Sequence, residues 1–505
     1  MKKGFVIKHW YLILLGLLVT GVYFVSRILH LGLIPIFTDE AIYLRWAQIA
    51  ISDPRWRFIS LIDGKQPLLI WLFLPVLKYN SLVGGDPLIA GRLVSVICGF
   101  LSLCGFALFG TYKTRKFAGG MIGALLYLII PFYLVYDRLA LYESLFVCIS
   151  IWTFFSMYIM GKTLRLDSAL ITGTLVGFGL LTKSYANFFL ILLPTTLLIV
   201  PWKKVHISAT FFRWLGLALI VVIQSQIYAN IMRLSEYRHI LGQKNLQFIY
   251  SFSEFFSHPL QNAWGNAYGL LLWLVGYLTQ PLLLAVIAAL IWLLKKDWRE
   301  GIYFISWFFV PFTALAFFGK VIYPRFLLFM LTPLVIILTL FITEKISSMK
   351  KKMILGIVAI IISVPLLIFD YQMIFQPIKA PLPSADRKQF LTDWPSGYGI
   401  SEIVSFLENE SKNGPLIIGT EGTFGLFPHA LELYLGTNRN VTVKAYWPVG
   451  EVPQELIESA YIRPTFLVFK ERQDIPSNWP LILIAQYRRG DGPTYMKFYR
   501  VLVKD

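Results

Sequence analysis

Two adjacent acids, Asp39 and Glu40, stand just after the first long apolar run, in the stretch IFTDEAIYLRWAQIA. A carboxylate held there can act as a general base that takes the proton from an attacking hydroxyl group. The alternative is structural, because acids in the first turn of a helix interact favourably with its dipole, and Thr38 can cap a helix that starts at Asp39. The apolar residues of that helix fall on one face, which predicts an amphipathic helix in the membrane interface.

Further ionisable residues lie at the ends of later apolar segments. Lys65, in DGKQPLLIW, is either a site residue or a lysine that snorkels from the end of an apolar helix. Arg138 and Glu143, in RLALYES, are five residues apart and do not form a good local pair on a helix. Glu143 enters one apolar segment and Arg92 lies inside another, where ionisable residues are costly and mark functional sites. The tyrosines around Arg138 also suit an aromatic interfacial belt.

The composition indicates a polytopic membrane protein. Of 505 residues, 57% are hydrophobic and only 15% are charged. The net charge of +18 would favour nucleic-acid binding in a soluble protein. Here it is explained by basic loops that orient membrane helices, so no nucleic-acid partner is expected. The three cysteines fall in apolar runs and imply no disulfide framework.

Eleven runs have the length and apolar character of a membrane-spanning helix. They are residues 10–29, 88–110, 117–136, 142–160, 168–183, 186–201, 211–232, 266–294, 301–318, 325–343 and 353–370.

The short segment 67–77 decides the topology. If it does not cross the membrane, nearly all short loops rich in Lys and Arg lie on the side of the N-terminus, as the positive-inside rule requires for the cytoplasm. We therefore read 67–77 as an interfacial or re-entrant helix within a large outer loop, 30–87. The acids, Lys65 and the segment RLALYES then all lie on the outer face.

Two more outer segments supply cations. GKVIYPRF carries Lys320, Tyr323 and Arg325, and Lys183 ends a predicted span in LLTKSY. Cations on this side require an anionic partner, and a lipid phosphate or pyrophosphate fits because Arg binds phosphate in a bidentate manner and Lys supplies a point charge. The alternative is binding of anionic lipid headgroups without catalysis.

The composition changes after about residue 380. GPLIIGTEG and PTFLVFKE predict buried strands, GISEIVSFLENESKNG an amphipathic helix, and the last 25 residues a strand–turn–strand. We predict a transmembrane domain, 1–380, and a small extracytoplasmic α/β domain, 381–505. The tail contains no Gly-rich phosphate loop and no cluster with metal-ligand spacing.

The ordered motifs resemble the polyprenyl-phosphate-sugar-dependent GT-C glycosyltransferases, above all protein O-mannosyltransferases and lipid A aminoarabinose transferases. The motifs, within residues 1–345, are the acid pair, the K-x-P of Lys65 and Pro67, AGRLVS, RLALYESLF, GLLTKSYANFFLILLP and YPRFLLFMLTPL.

The resemblance implies a GT-C fold with Asp39 as catalytic base and Glu40 orienting the acceptor or the sugar. It implies that Lys65, with Arg325 and Lys320, neutralises the lipid phosphate, and that Glu143 lines the sugar pocket. Arg92, Arg138, Lys183 and Tyr323 complete the predicted substrate-binding set. The lipid A branch tends to carry an acid where this chain has Gly64, and His239 and His258 lack ligand spacing, so we expect no essential metal and no cofactor.

The sequence therefore predicts an inverting glycosyltransferase of the plasma (inner) membrane. Its donor would be a polyprenyl-phosphate-linked sugar and its acceptor a hydroxyl of a lipid, glycan or protein on the outer face. A lipid-linked glycan transporter or flippase without transferase activity is the alternative, although transporters tend to have internal repeats and charges at the membrane midplane. A membrane scaffold that presents the tail domain would leave the clustered outer charges unexplained.

Overall fold

The long apolar runs fold into helices because a backbone in lipid must satisfy its hydrogen bonds internally. The computed structural model describes residues 10–202, 204–257, 260–348 and 352–503. Up to residue 375 its α-helices are α1 Trp10–Ile28, α2 Thr38–Ser52, α3 Leu68–Val83, α4 Pro87–Thr114, α5 Phe117–Ile129, α6 Pro131–Asp137, α7 Tyr142–Thr163, α8 Leu166–Leu180, α9 Asn187–Leu192, α10 Ile207–Asn230, α11 Arg238–Phe248, α12 Phe252–Ser257, α13 Ala263–Lys296, α14 Trp298–Phe318, α15 Leu331–Ser348 and α16 Lys352–Phe375.

All eleven predicted spans are helical. Within the described residues, eight helices are long and apolar enough to cross a membrane, or nine if the bent pair α5 and α6 counts as one span. The remaining two predicted spans correspond to shorter apolar helices, Leu166–Leu180 and Ser184–Ile199, and α3 is also of this shorter kind. The chain is a multi-pass membrane protein, whereas the assignment of 67–77 as non-spanning stays a prediction.

The chain divides into two compact units. The first comprises Met1–Leu29, Phe58–Leu69 and Leu93–Ile374, and the second comprises His30–Arg57, Ile70–Arg92 and Phe375–Asp505. Our boundary at residue 380 stays a prediction about where the extracytoplasmic domain begins.

Ion pairs join helix ends in the first unit. Lys113, at the end of α4, lies 2.6 Å from the carboxylate of Glu300 in the first turn of α14, and the Tyr158 hydroxyl donates to the same carboxylate at 2.5 Å. Lys296 pairs in the same way with Glu344. These residues stand in loops or loop-flanking turns that we predict to be cytoplasmic, and their contacts are consistent with one common face.

The second unit contains a mixed five-stranded sheet. Its strands are β1 Leu416–Glu421, β2 Val441–Tyr446, β3 Thr465–Phe469, β4 Leu481–Arg488 and β5 Tyr495–Val501, in the order β2-β1-β3-β5-β4. Strand β1 pairs in parallel with β2 and β3, and β5 is antiparallel to β3 and β4. The α-helices of this segment are α17 Ser384–Arg387, α18 Ile400–Glu410, α19 Leu426–Leu435 and α20 Gln454–Ala460.

The predictions for this small domain are confirmed in type. The two apolar segments form β1 and β3, which are buried along their whole length, and the amphipathic segment forms α18. The last segment forms the antiparallel pair β4 and β5. Strand β2 was missed because it is only partly buried and carries a mixed sequence, VTVKAY.

Candidate active site

The second acid of the pair, Glu40, is fully buried and bound by an arginine. The Arg92 guanidinium donates to both Glu40 oxygens, at 2.8 and 2.7 Å, and neither side chain is exposed. Arg92 also donates to the carbonyls of Leu31, Ile34 and Pro35. These contacts fix the segment that leads into α2, and the predicted substrate contacts of both residues stay predictions.

Glu40 also begins the helix. Its carboxylate accepts a hydrogen bond from the backbone N–H of Phe37 at 3.0 Å, and α2 starts at Thr38. The prediction that Thr38 caps the helix is wrong, because its hydroxyl instead donates to the Pro395 carbonyl at 3.0 Å. Asp39 differs from its neighbour in being only half-buried. The pair therefore divides into one structural acid and one acid that is accessible.

Helix α2 packs against the sheet domain. Arg45 forms a 3.0 Å ion pair with Glu432 of α19, and the Gln48 amide donates to the Leu433 carbonyl. Residues on most sides of α2 are buried, including Tyr43 and Trp46. The predicted helix is confirmed, but its one-sided amphipathic placement in the membrane interface is not what the structure shows. Its polar face is occupied by protein.

In the first unit, the segment that carries Lys65 is attached to two others. The Gln66 amide donates to the Ser184 hydroxyl at 2.7 Å, and the Gln66 carbonyl accepts from the Tyr142 hydroxyl at 2.6 Å. Because Ser184 follows Lys183 and Tyr142 precedes Glu143, these two hydrogen bonds bring the motifs of Lys65, Lys183 and Glu143 together. Gln66 and Tyr142 were not in the predicted set, although both flank residues that were.

Lys183 is the centre of this cluster. It lies beyond the end of α8 at Leu180, forms an ion pair with Glu143, and has its ammonium 5.0 Å from the centre of the Tyr185 ring. Burial lowers the pKa of Lys183 to about 8; Glu143 opposes this shift, while the positive charges of Arg325 and Lys65 add to it. Arg325 and Lys65 therefore lie close enough to Lys183 to affect its charge.

The segment YPRF supplies Arg325 to the cluster. Its guanidinium stacks over the Tyr323 ring, 4.9 Å from the ring centre. Lys320 is held by a neighbouring segment, since it pairs with Glu254 at 2.7 Å and donates to the Leu246 carbonyl. We call Lys65, Glu143, Lys183 and Arg325 the cation cluster, with Tyr323 as the ring that supports Arg325.

Gly64 explains one departure from the lipid A branch. It has a left-handed φ of +67°, and a Cβ built there would come within 2.6 Å of the Lys244 side chain. An acid at this position would be strained and obstructed. Lys244 is already paired with Asp63 at 2.7 Å. Across the described residues, no group of three or more His, Cys, Asp or Glu side chains could hold a metal ion, and His258 lies outside those residues.

Arg138 has a structural position. Its buried guanidinium donates to the carbonyls of Ser26, Arg27 and Leu29, which are the unsatisfied acceptors at the end of α1. These contacts anchor the end of the first span, and substrate binding by Arg138 stays a prediction. The signal for this role was not visible in the sequence, because a capping arginine more than one hundred residues away has no local pattern.

The chain is similar in part to a known protein family. Residues 66–228 match the family model described as dolichyl-phosphate-mannose-protein mannosyltransferase. No curated protein matches the chain in sequence.

Solved structures resemble the whole chain in fold. ArnT from Cupriavidus metallidurans, bound to undecaprenyl phosphate, matches with a TM-score of 0.62 at 13% identity, covering 97% of this chain and 98% of that one. Its apo state matches at 0.60 and 14% identity, with 98% of each chain covered. The archaeal oligosaccharyltransferase AglB from Archaeoglobus fulgidus matches at 0.51 and 11% identity, covering 92% of this chain and 69% of that one. The predicted resemblance is thus confirmed, and this chain has the fold of the GT-C glycosyltransferases.

Proposed function

We propose that the protein transfers a sugar from a polyprenyl-phosphate-linked donor to an acceptor hydroxyl, with Asp39 as general base. The observation that carries this proposal is the contrast within the acid pair. Glu40 is buried and neutralised by Arg92, whereas Asp39, on the first turn of the same helix, is accessible. A rigidly held helix that presents one accessible carboxylate is what proton transfer from a bound hydroxyl needs.

The reaction is a single displacement that inverts the anomeric centre. The acceptor oxygen bonds to the anomeric carbon while the bond from that carbon to the phosphate oxygen breaks. Asp39 takes the hydroxyl proton, and the electron pair of the broken bond leaves on the polyprenyl phosphate. Because a charge-matched phosphate is a good leaving group, a general base and cations at the phosphate are sufficient for the chemistry.

The cation cluster is proposed to bind the donor phosphate. Lys65, Lys183 and Arg325 are the cations of the cluster. The negative charge of Glu143 offsets part of their positive charge. Charge-assisted hydrogen bonds from Arg and Lys to phosphate are the strongest that these side chains make. The related ArnT structure contains undecaprenyl phosphate, a ligand of this same chemical class.

Glu40, Arg92 and Arg138 are proposed to act without touching substrate. Each is buried and bonded to backbone carbonyls or to another of the three. Glu40 and Arg92 hold the start of α2, and Arg138 holds the end of α1. The predicted outer loop begins between these two helix ends. We place this site on the extracytoplasmic face, as the positive-inside distribution of short-loop charges requires.

The test uses purified protein in liposomes with radiolabelled polyprenyl-phosphate hexoses and pentoses as donors. Transferase activity releases polyprenyl phosphate and yields a product of inverted anomeric configuration; water can serve as a surrogate acceptor. Mass spectrometry of envelope lipids and proteins, with and without the gene, identifies the natural acceptor. Movement of intact donor across the membrane with no sugar release would instead establish a flippase.

A further inference from the structure

A group of aromatic side chains lies at one end of the strands of the sheet in the second unit. The carboxyl ends of the parallel strands β1, β2 and β3 lie at this end, which is where α/β folds bind ligands. Trp447 directly follows β2, and Lys470 directly follows β3. The Lys470 ammonium lies 4.5 Å from the centre of the Trp394 ring and 5.8 Å from that of Trp447. We call Trp394, Trp447, Lys470 and Glu471 the tryptophan subsite.

Two glycines lie next to Lys470 in this subsite. A Cβ built at Gly422 would lie 3.4 Å from the Lys470 ammonium, and one at Gly425 would lie 4.0 Å from it. Both glycines have positive φ angles that other residues rarely adopt. The loop that follows β3 is attached to the end of β1, because the buried Glu421 carboxylate accepts from the backbone N–H groups of its first three residues. The backbone thus approaches Lys470 where side chains would fill the space.

The rings are exposed while the charge behind them is buried. Trp447 is 56% exposed and Trp394 is 37% exposed, whereas Lys470 is only 5% exposed. Exposed tryptophans that flank a buried polar group are unusual, since large aromatic side chains gain free energy by burial. This arrangement indicates a surface that a ligand covers.

The chemistry of the subsite favours a neutral sugar. Glu471 pairs with Lys470 at 3.2 Å, so an acceptor and a donor of hydrogen bonds stand side by side with their charges balanced. Vicinal hydroxyls of a pyranose match such a pair, and the apolar face of the ring stacks on tryptophan. The partly exposed Glu471 carboxylate disfavours an anionic lipid surface or a phosphorylated ligand.

The subsite adjoins the helix that carries the proposed base. The Thr38 methyl group and the Lys470 ammonium both reach Gly425, at 3.5 and 4.0 Å from its Cβ position. The Thr38 hydroxyl donates to the carbonyl of Pro395, which follows Trp394. Asp39 is the next residue after Thr38.

We propose that the tryptophan subsite binds a neutral pyranose of a glycan acceptor next to Asp39. Its role as an acceptor site rests on the proposed transferase function, whereas sugar binding itself does not. The acceptor class would then be a glycan or glycolipid rather than an unmodified polypeptide.

Full-length protein in nanodiscs is titrated with cellopentaose, maltopentaose, mannopentaose and chitopentaose, with ligand-observed NMR as the readout. We expect at least one to bind, and Trp447→Ala and Trp394→Ala each to weaken that binding by about fivefold or more, the loss of one stacked ring. Trp56→Ala is the matched control, because Trp56 is 38% exposed in the same unit and stands outside the subsite. It should leave binding unchanged.

Three results would overturn the subsite: no oligosaccharide binds, the two variants bind like the wild type, or the control variant loses binding equally. A membrane role for the rings is tested with brominated lipids, and the subsite fails if Trp447→Ala removes quenching of the tryptophan fluorescence. Undecaprenyl phosphate affinity is measured in parallel and should not change in these variants. Oligosaccharide binding with no sugar transfer from any donor would retain the subsite and reject the transferase.

Discussion

Arg92 and Glu40 are 52 residues apart in the chain and form an ion pair in which both side chains are fully buried. Removing one member of a buried pair leaves an uncompensated charge, which costs about 3–5 kcal/mol. The adjacent Asp39 is only half-buried, so substitutions at the two neighbouring acids should have different consequences.

The first prediction concerns stability. Arg92→Met should lower the unfolding temperature of the purified protein strongly, since Glu40 then stays buried without its partner. Differential scanning fluorimetry in detergent measures the shift. The double variant with Glu40→Met should recover much of the loss, because an apolar pair is less costly than a lone charge. An unfolding temperature equal to that of the wild type in Arg92→Met would refute the structural role.

The second prediction concerns the base. Asp39→Asn removes the proton acceptor with little change in shape, so the transfer rate should fall by about 10²–10⁴. The unfolding temperature and the affinity for undecaprenyl phosphate should stay near wild type. The readout is the initial rate of polyprenyl phosphate release. Normal turnover in this variant would show that another group accepts the proton.

The third prediction concerns the phosphate. Lys65→Ala and Arg325→Ala should each weaken undecaprenyl phosphate binding by roughly 10- to 100-fold, the range for losing a hydrogen bond to a charged group. Direct binding of the radiolabelled lipid is measured. Arg165→Ala is the control, because Arg165 is exposed and pairs locally with Asp167. Equal affinity in all three variants would remove the cation cluster from donor binding.

The fourth prediction concerns pH. The pKa of Lys183 is lowered to about 8, so this residue is charged below pH 8 and neutral above it. Undecaprenyl phosphate affinity should therefore be high near pH 7 and fall as pH rises through 8, by up to about tenfold per unit. The ligand is not the cause, because a phosphate monoester loses its second proton near pH 6.

The control for this profile is Lys183→Arg, which keeps its charge at all these pH values. Its affinity should be flat between pH 7 and 9.5. The charged groups around Lys183 are Glu143, Arg325 and Lys65. A wild-type affinity that is the same at both ends of the range would contradict the prediction.

The sequence was sufficient to locate the helices and to single out Lys65, Glu143, Lys183 and Arg325 as candidates, and the reason is physical. Spanning segments follow from the length of apolar runs, and cations on the side predicted to be outer are conspicuous because loop charges are biased. The different burial of Asp39 and Glu40 could not be predicted from the sequence. Two adjacent carboxylates look alike in any sequence pattern. The residue that pairs with Glu40 lies 52 residues further along the chain.

The tryptophan subsite could not be predicted from the sequence either, for a different reason. Trp394, Trp447 and Lys470 come from three separate segments, and parallel pairing of β1, β2 and β3 brings the last two to one edge. Periodicity predicts that β1 and β3 are strands, but it does not give their order in a sheet.

The ion pair of Arg45 with Glu432 and the hydrogen bond from Thr38 to Pro395 attach α2, which carries the proposed base, to residues after 380. Grafting the tail alone at a junction near residue 380 would therefore break both contacts. A working chimera has to transplant residues 30–57 and 70–92 together with the tail, since these segments form one compact unit.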